Sequence, residues 1–127
     1  MGVLEDNKVT LKNGNTKEIK DLFKNEVLLS CNIKGLHPRA NNNNAMSWCE
    51  KNPIIKKTTG KVINKWKETI KNYMMINNKL KISLDSIILF KDDEGITSWG
   101  YSKSLRKGYF LLNDNYEFEV IKTIKRI

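Results

Sequence analysis

Few residues of this chain belong to the types that catalyse reactions or bind metal ions. The sequence contains one histidine, His37, and two cysteines, Cys31 and Cys49, which stand eighteen positions apart. A zinc site needs several such ligands at close spacing, and a catalytic histidine needs a second group that orients it. His37 also lies beside Pro38 in a polar stretch, which is typical of a solvated loop. We therefore predict reduced, partly buried thiols, no metal, no cofactor and no catalytic set.

The acidic run Asp92-Asp93-Glu94 is a further candidate for acid or metal chemistry. Gly95 follows it directly, and acidic residues before a glycine are typical of tight turns. Calcium loops use a longer pattern of alternating oxygen ligands, which is absent here. We predict a solvated turn.

The densest basic stretch falls in residues 51–71, which contain a single acidic residue, Glu68. On a strand, alternate lysines share a face and can follow a phosphate backbone while an indole stacks on a base. The candidate contacts for an anion or nucleic acid are Lys56, Lys57, Lys61, Lys65, Trp66, Lys67 and Lys71. The alternative is a solvated sheet face with Trp66 in the core, which the usual burial of tryptophan favours.

The overall charge allows two interpretations. The formal net charge is +9, from 23 Lys and Arg against 14 Asp and Glu, and such a surface attracts polyanions or acidic proteins. However, the 20 Lys, 16 Asn and 14 Ile stand against only 3 Arg, as an AT-rich coding sequence would produce. Nucleic-acid readers usually depend on arginine, whose planar fork pairs with phosphate and guanine. Both a functional charge and codon bias remain open.

Length and composition indicate one globular domain. A chain of 127 residues with 39% hydrophobic and 29% charged residues can bury one core of moderate size. No apolar run approaches the ~20 residues that span a bilayer, and the first residues lack the basic start of a secretory signal. We expect no membrane association and an intracellular or particle-bound protein.

The apolar pattern predicts an all-β fold built from short strands and hairpins. Turn signals recur about every eight to twelve residues, and no window shows a long helical apolar face. The turns include Asn13-Gly14, which favours positive φ angles, and Asn77-Asn78-Lys79. Strands are predicted at 9–11, 16–19, 26–33, 61–70, 73–76, 80–83, 87–90, 96–101, 109–112 and 116–124.

Residues 34–53 interrupt this pattern and are predicted to form a polar loop or insertion after the third strand. The stretch contains four consecutive asparagines, whose side chains compete with regular main-chain hydrogen bonding. Within it, Ala45-Met46-Ser47-Trp48 is expected to form a short turn of helix that places Trp48 on the core. A second break is expected at Thr58-Thr59-Gly60, before the strand at 61–70.

Taken in chain order, several segments match a known family. The first block consists of residues 9–14 (VTLKNG), 17–22 (KEIKDL) and 27–30 (VLLS). The middle block consists of residues 73–77 (YMMIN), 80–83 (LKIS) and 87–90 (IILF), and the last block of Trp99 and residues 104–112 (SLRKGYFLL) and 120–124 (VIKTI). This series resembles the Hint fold shared by inteins and the hedgehog autoprocessing domain. The resemblance covers most of the chain outside residues 34–53, and it implies a compact Hint-like β domain.

The resemblance also implies where autoprocessing residues should stand. The family's first residue is a Cys or Ser nucleophile, and that position falls near Gly2, which has no nucleophile. The family's Thr-x-x-His aligns with Ser83 and Ser86, so the imidazole that would protonate the scissile amide is missing. The terminal His-Asn is also absent, because the sequence closes with residues 122–127, KTIKRI. We expect no self-processing enzyme.

Three functions follow as expectations. The first is a catalytically inactive Hint-like domain that acts as a structural or protein-interaction module, similar to Hint domains in tailed-phage virion proteins and located in the host cytoplasm or the virion. The second is a small basic protein that binds nucleic acid or an acidic protein surface. The third is a protein-splicing element whose nucleophile has been removed.

Overall fold

The computed structural model describes residues 4, 6–35, 46–62 and 72–127, and this part of the chain is all-β, as predicted. The only helical elements of more than one residue there are two 3-10 turns, Ile19–Asp21 and Ser102–Ser104. The strands are β1 (Lys8–Thr10), β2 (Thr16–Glu18), β3 (Val27–Ile33), β4 (Cys49–Glu50), β5 (Ile55–Lys61), β6 (Tyr73–Ile76), β7 (Leu80–Ser83), β8 (Ile87–Lys91), β9 (Thr97–Tyr101), β10 (Phe110–Leu112), β11 (Phe118–Val120) and β12 (Ile124–Arg126).

The strands form four small antiparallel sheets. Two are two-stranded ribbons, β1–β2 and β3–β5, and the latter pairs seven residues on each strand. A three-stranded sheet has the order β12-β6-β7, and a five-stranded sheet has the order β11-β10-β8-β9-β4. A bridge between Leu11 and Leu28 joins the first ribbon to the second.

Both predicted hairpins are present, and their turns explain why. In the β1–β2 hairpin Gly14 adopts a φ of 89°, whereas Asn13 keeps a negative φ and accepts the Asn15 main-chain N–H on its side chain. In the β6–β7 hairpin Asn77 and Asn78 adopt φ angles of 53° and 58°. Two successive positive φ angles match the twist of antiparallel strands, and asparagine reaches them at low cost.

The predicted break at Thr58-Thr59-Gly60 is wrong, because all three residues lie inside β5. The β-branched threonines suit a strand, and pairing with β3 along its whole length offsets the weakness of the glycine. The predicted polar loop at 34–53 also contains a strand, β4, which pairs with β9. Residues 36–45 of that loop and 63–70 of the strand predicted at 61–70 lie outside the described residues.

The single strand predicted at 116–124 is also wrong, since β11 and β12 belong to different sheets. Asn77 causes the interruption. Its side-chain oxygen accepts the main-chain N–H groups of Lys122 at 2.7 Å and Thr123 at 3.2 Å, and its amide donates to the Val120 carbonyl at 3.0 Å. These main-chain groups are therefore bonded to one side chain instead of a neighbouring strand.

The main core lies between the β12-β6-β7 sheet and the five-stranded sheet. Its buried residues come from β6, β7 and the segments that precede β10 and follow β11. They are Met74, Ile76, Ile82, Leu105 and Ile121. Alternate residues of β6 are buried, so one face of this strand supplies the core and the other is half-exposed.

Candidate functional site

The two serines that align with the family's Thr-x-x-His are buried side by side. Ser83 ends β7 and Ser86 precedes β8, and their hydroxyl oxygens are 2.6 Å apart with exposures of only 3% and 6%. A third serine, Ser102, lies in the 3-10 turn after β9 and is fully buried; its hydroxyl donates to the Ser83 carbonyl. The Ser102 N–H donates to the Ser86 carbonyl at 2.7 Å. The cluster therefore fastens β7, β8 and β9 together.

One acidic side chain touches this serine cluster. Asp85 lies between the two aligned serines in the sequence and is exposed, and a hydrogen bond from the Ser83 hydroxyl lowers the pKa of its carboxyl. Serine hydroxyls do not titrate near neutrality, so none of the three serines can act there as a general acid. The sole histidine, His37, lies outside the described residues. The geometry is that of a hydrogen-bonded structural cluster.

The N-terminal segment is fixed beside β7, close to this cluster. The Asn7 side chain accepts the Lys81 N–H at 2.8 Å and donates to the Lys81 carbonyl, so it pairs with the strand as a main-chain partner would. Leu4 donates its N–H to the same carbonyl at 3.1 Å. The Asp6 carboxylate bonds the Lys81 ammonium at 2.6 Å, which lowers the pKa of Asp6 and raises that of Lys81. The position of Gly2 lies outside the described residues.

The C-terminal strand reaches the same end of the sheet. Tyr73 lies opposite Ser83 in the β6–β7 pair, and it exchanges two main-chain hydrogen bonds with Ile127 on its other side, at 2.8 and 3.4 Å. Neighbouring strands lie ~4.8 Å apart, so Ile127 stands about 10 Å from Ser83 across two strand spacings. Segments from both halves of the chain thus flank the end of the β6–β7 hairpin at which Ser83 lies.

The predicted basic site is only partly described. Lys56, Lys57 and Lys61 are exposed on β5, and none forms an ion pair with a described residue. Because side chains alternate along a strand, Lys57 and Lys61 share one face, about 13 Å apart, and Lys56 points to the other. The remaining predicted contacts lie outside the described residues: Lys65, Trp66, Lys67 and Lys71.

A groove of about 370 Å³ lies between β1 and β3. It is lined by residues of both strands and by the turn between β10 and β11. Two side chains of that turn attach to the strands: Asp114 accepts the Thr10 hydroxyl at 3.0 Å, and the Tyr116 hydroxyl donates to the Ser30 carbonyl at 2.8 Å. The strand residues that line the groove include Lys8 and Cys31.

The remaining chemical candidates are Asp92 and the two cysteines. Asp92 caps its own turn, because its carboxylate accepts the N–H groups of Glu94 at 2.9 Å and Ile96 at 3.0 Å. Cys31 is a free, half-buried thiol, as predicted, and burial raises its pKa. Cys49 is also free but exposed, so the prediction of a partly buried thiol is wrong there, because the two-residue strand β4 leaves both of its side chains exposed. Within the described ranges, no three His, Cys, Asp or Glu residues are grouped so that they could hold a metal ion.

Comparison with protein-family models, with curated proteins and with solved structures found no match to this chain. In the part of the chain that the structure describes, no helix is long and apolar enough to cross a membrane.

The pattern of residue types did not predict three features: the contacts of Asn7, the contacts of Ser102 and the groove between β1 and β3. Asn7 and Ser102 have no distinctive sequence neighbours, and their roles depend on contacts with residues 74 and 19 positions away. The groove between β1 and β3 was also missed, since it arises from the way two predicted strands diverge.

Replacement of Asn7 by alanine should destabilise the fold by about 1–3 kcal/mol, because both main-chain groups of Lys81 would lose a partner at a buried position. Urea unfolding of the two proteins measures this difference. Asn13→Ala is the matched control, since Asn13 makes one exposed turn contact, and it should cost less than about 0.5 kcal/mol. Equal effects of the two substitutions would refute the role given to Asn7.

Proposed function

We propose that this chain is a catalytically silent Hint-like domain that acts as a protein-interaction module. The observation on which the proposal depends is the buried Ser83–Ser86 hydroxyl pair, at 2.6 Å, in the positions where the resemblance requires a threonine and a histidine. An imidazole there would protonate a leaving group near neutral pH, whereas a hydroxyl held by its neighbours supplies only structure.

The arrangement of the strands supports the same proposal. Autoprocessing of this kind requires the start of the domain to lie next to the Thr-x-x-His residues. Here Asn7 and Leu4 are bonded to Lys81, two residues before Ser83, and Ile127 lies on the far side of Tyr73 at the same end of the sheet. This placement is consistent with a Hint-like scaffold. In that scaffold, Ser83 and Ser86 would stand in place of the catalytic threonine and histidine.

Fusion of short peptides to both ends should give a precursor that stays intact for days at neutral pH, with or without added thiol. Mass spectrometry of the intact precursor measures this. The variant Gly2→Cys, which restores a nucleophile, should also stay intact because Ser86 provides no acid. Release of a peptide from the unmodified chain would contradict the proposal, and release only from Gly2→Cys would show a splicing element with its nucleophile removed.

A second candidate is a polyanion-binding role through the β3–β5 ribbon. Its supporting observation is that Lys56, Lys57 and Lys61 are exposed and have no acidic partner among the described residues. Residues opposite them on β3 are Asn32, Cys31 and Val27, none of which is acidic. The local positive potential is therefore not neutralised within the ribbon.

The double variant Lys57→Gln/Lys61→Gln tests this candidate with labelled single-stranded and duplex DNA. If both lysines contact phosphates, the slope of log affinity against log salt should fall in magnitude by about 2. Lys107→Gln/Lys125→Gln removes the same charge from exposed positions elsewhere and should leave the slope closer to that of the unmodified protein. Absence of binding at low salt, or equal slopes for the two variants, would exclude a nucleic-acid role for the ribbon.

A further inference from the structure

Among the described residues, no strand pairs with the outer edge of β3 over its second half. In the β3–β5 ribbon the Lys34 N–H donates to the Ile54 carbonyl at 3.0 Å and the Val62 N–H to the Glu26 carbonyl at 2.9 Å. Main-chain groups alternate in direction along a strand, so the even-numbered residues of β3 bond β5 and the odd-numbered ones point outward. At the start of β3 the outward carbonyl of Val27 accepts the Lys12 N–H at 2.9 Å. Beyond this contact and the Leu11–Leu28 bridge, no described strand pairs with the outer edge of β3, so Cys31 has no strand partner on that side among the described residues.

In the described part of the chain, the facing edge of β1 is likewise paired only at the Leu11–Leu28 bridge. The Ile19 N–H donates to the Asn7 carbonyl at 2.9 Å and the Leu11 N–H to the Asn15 carbonyl at 2.7 Å, so odd-numbered residues of β1 bond β2. The main-chain groups of Lys8 and Thr10 therefore point away from β2, towards β3. The two strands meet at the Leu11–Leu28 bridge and then separate, and the groove of about 370 Å³ lies between them.

We infer that this groove binds an extended acidic peptide, which adds as a strand to the outer edge of β3 with β1 as the opposite wall. Unpaired N–H and C=O groups in a row select an extended main chain, which offers the complementary row. The groove volume is within the range of sites that enclose ligands. The inference rests on the proposed function as an interaction module, and it names the chemistry of the partner.

Charge selects acidic side chains in that peptide. Cys31 lies directly opposite Lys57, so their side chains share one face of the ribbon. Continuing the register of the Leu11–Leu28 bridge places Lys8 level with Cys31 on that same face. A carboxylate on a strand inserted there would lie between Lys8 and Lys57. The acidic residue that lines the groove, Asp114, is bonded to the Thr10 hydroxyl.

The test uses a labelled peptide of alternating glutamate and valine, with a lysine-and-valine peptide of equal length as the charge control. Fluorescence anisotropy should show saturable binding of the acidic peptide and at least tenfold weaker binding of the basic one. The variant Cys31→Pro removes an outward N–H without removing a bond to β5, and it should weaken binding by tenfold or more.

The matched control is Thr59→Pro, because Thr59 pairs with Leu29 and its N–H points outward from the opposite edge of the same ribbon. Like Cys31→Pro, this variant places a proline in a strand and removes one outward N–H, but on the edge away from the groove. It should therefore bind the peptide with the affinity of the unmodified protein. If either proline variant fails to fold, amide hydrogen exchange of the unmodified protein provides the test. Addition of the acidic peptide should lower the exchange rate of the Cys31 amide by tenfold or more.

The inference would be overturned if the acidic peptide did not bind, or if both proline variants weakened its binding equally. It would also be overturned if the exchange rate of the Cys31 amide stayed the same when the peptide was bound. These outcomes leave the proposed function standing, since that function fails on a different result, the release of fused peptides from the unmodified chain.

Discussion

The arrangement of the chain depends on the β6–β7 hairpin, to which distant segments attach by main-chain hydrogen bonds. Asn7 pairs with both main-chain groups of Lys81 on one side, Ile127 pairs with Tyr73 on the other, and Asn77 in the turn holds residues 120–123. The same hairpin supplies most of the buried core. A hairpin that forms locally, through an asparagine turn that favours positive φ angles, thus orders segments that are far away in sequence.

This constraint explains why the serine cluster stands where it does. β7 ends at Ser83, and the two attached segments flank this end of the hairpin: residues 4–7 lie beside β7, and Ile127 lies beside Tyr73 of β6. In this chain the position is filled by hydroxyls that bond one another and a neighbouring carbonyl.

Much of the fold could be predicted from local patterns. The hairpins at Gly14 and at Asn77-Asn78 are encoded by residues that tolerate positive φ, and the turn at Asp92 by a side chain that bonds its own main chain. The errors have a common cause, since long-range pairing decided them. Thr58-Thr59-Gly60 forms a strand because β3 lies opposite, and the predicted strand at 116–124 is divided because Asn77 reaches across to it. The groove could not be predicted for the same reason, as it depends on where β1 and β3 part.

One measurement distinguishes the β6–β7 hairpin, the most stable part of the molecule, from the outer edge of β3, which no described strand pairs beyond the Leu11–Leu28 bridge. Native-state amide hydrogen exchange followed by NMR reports both. The amides of Met74 and Ile82, which lie in the β6–β7 ladder, should exchange only when the whole molecule unfolds, and the amide of Cys31 should exchange at a rate near that of an unprotected strand edge. A Cys31 amide as protected as that of Met74, or fast exchange at Met74 and Ile82 while other sheets stay protected, would contradict the account.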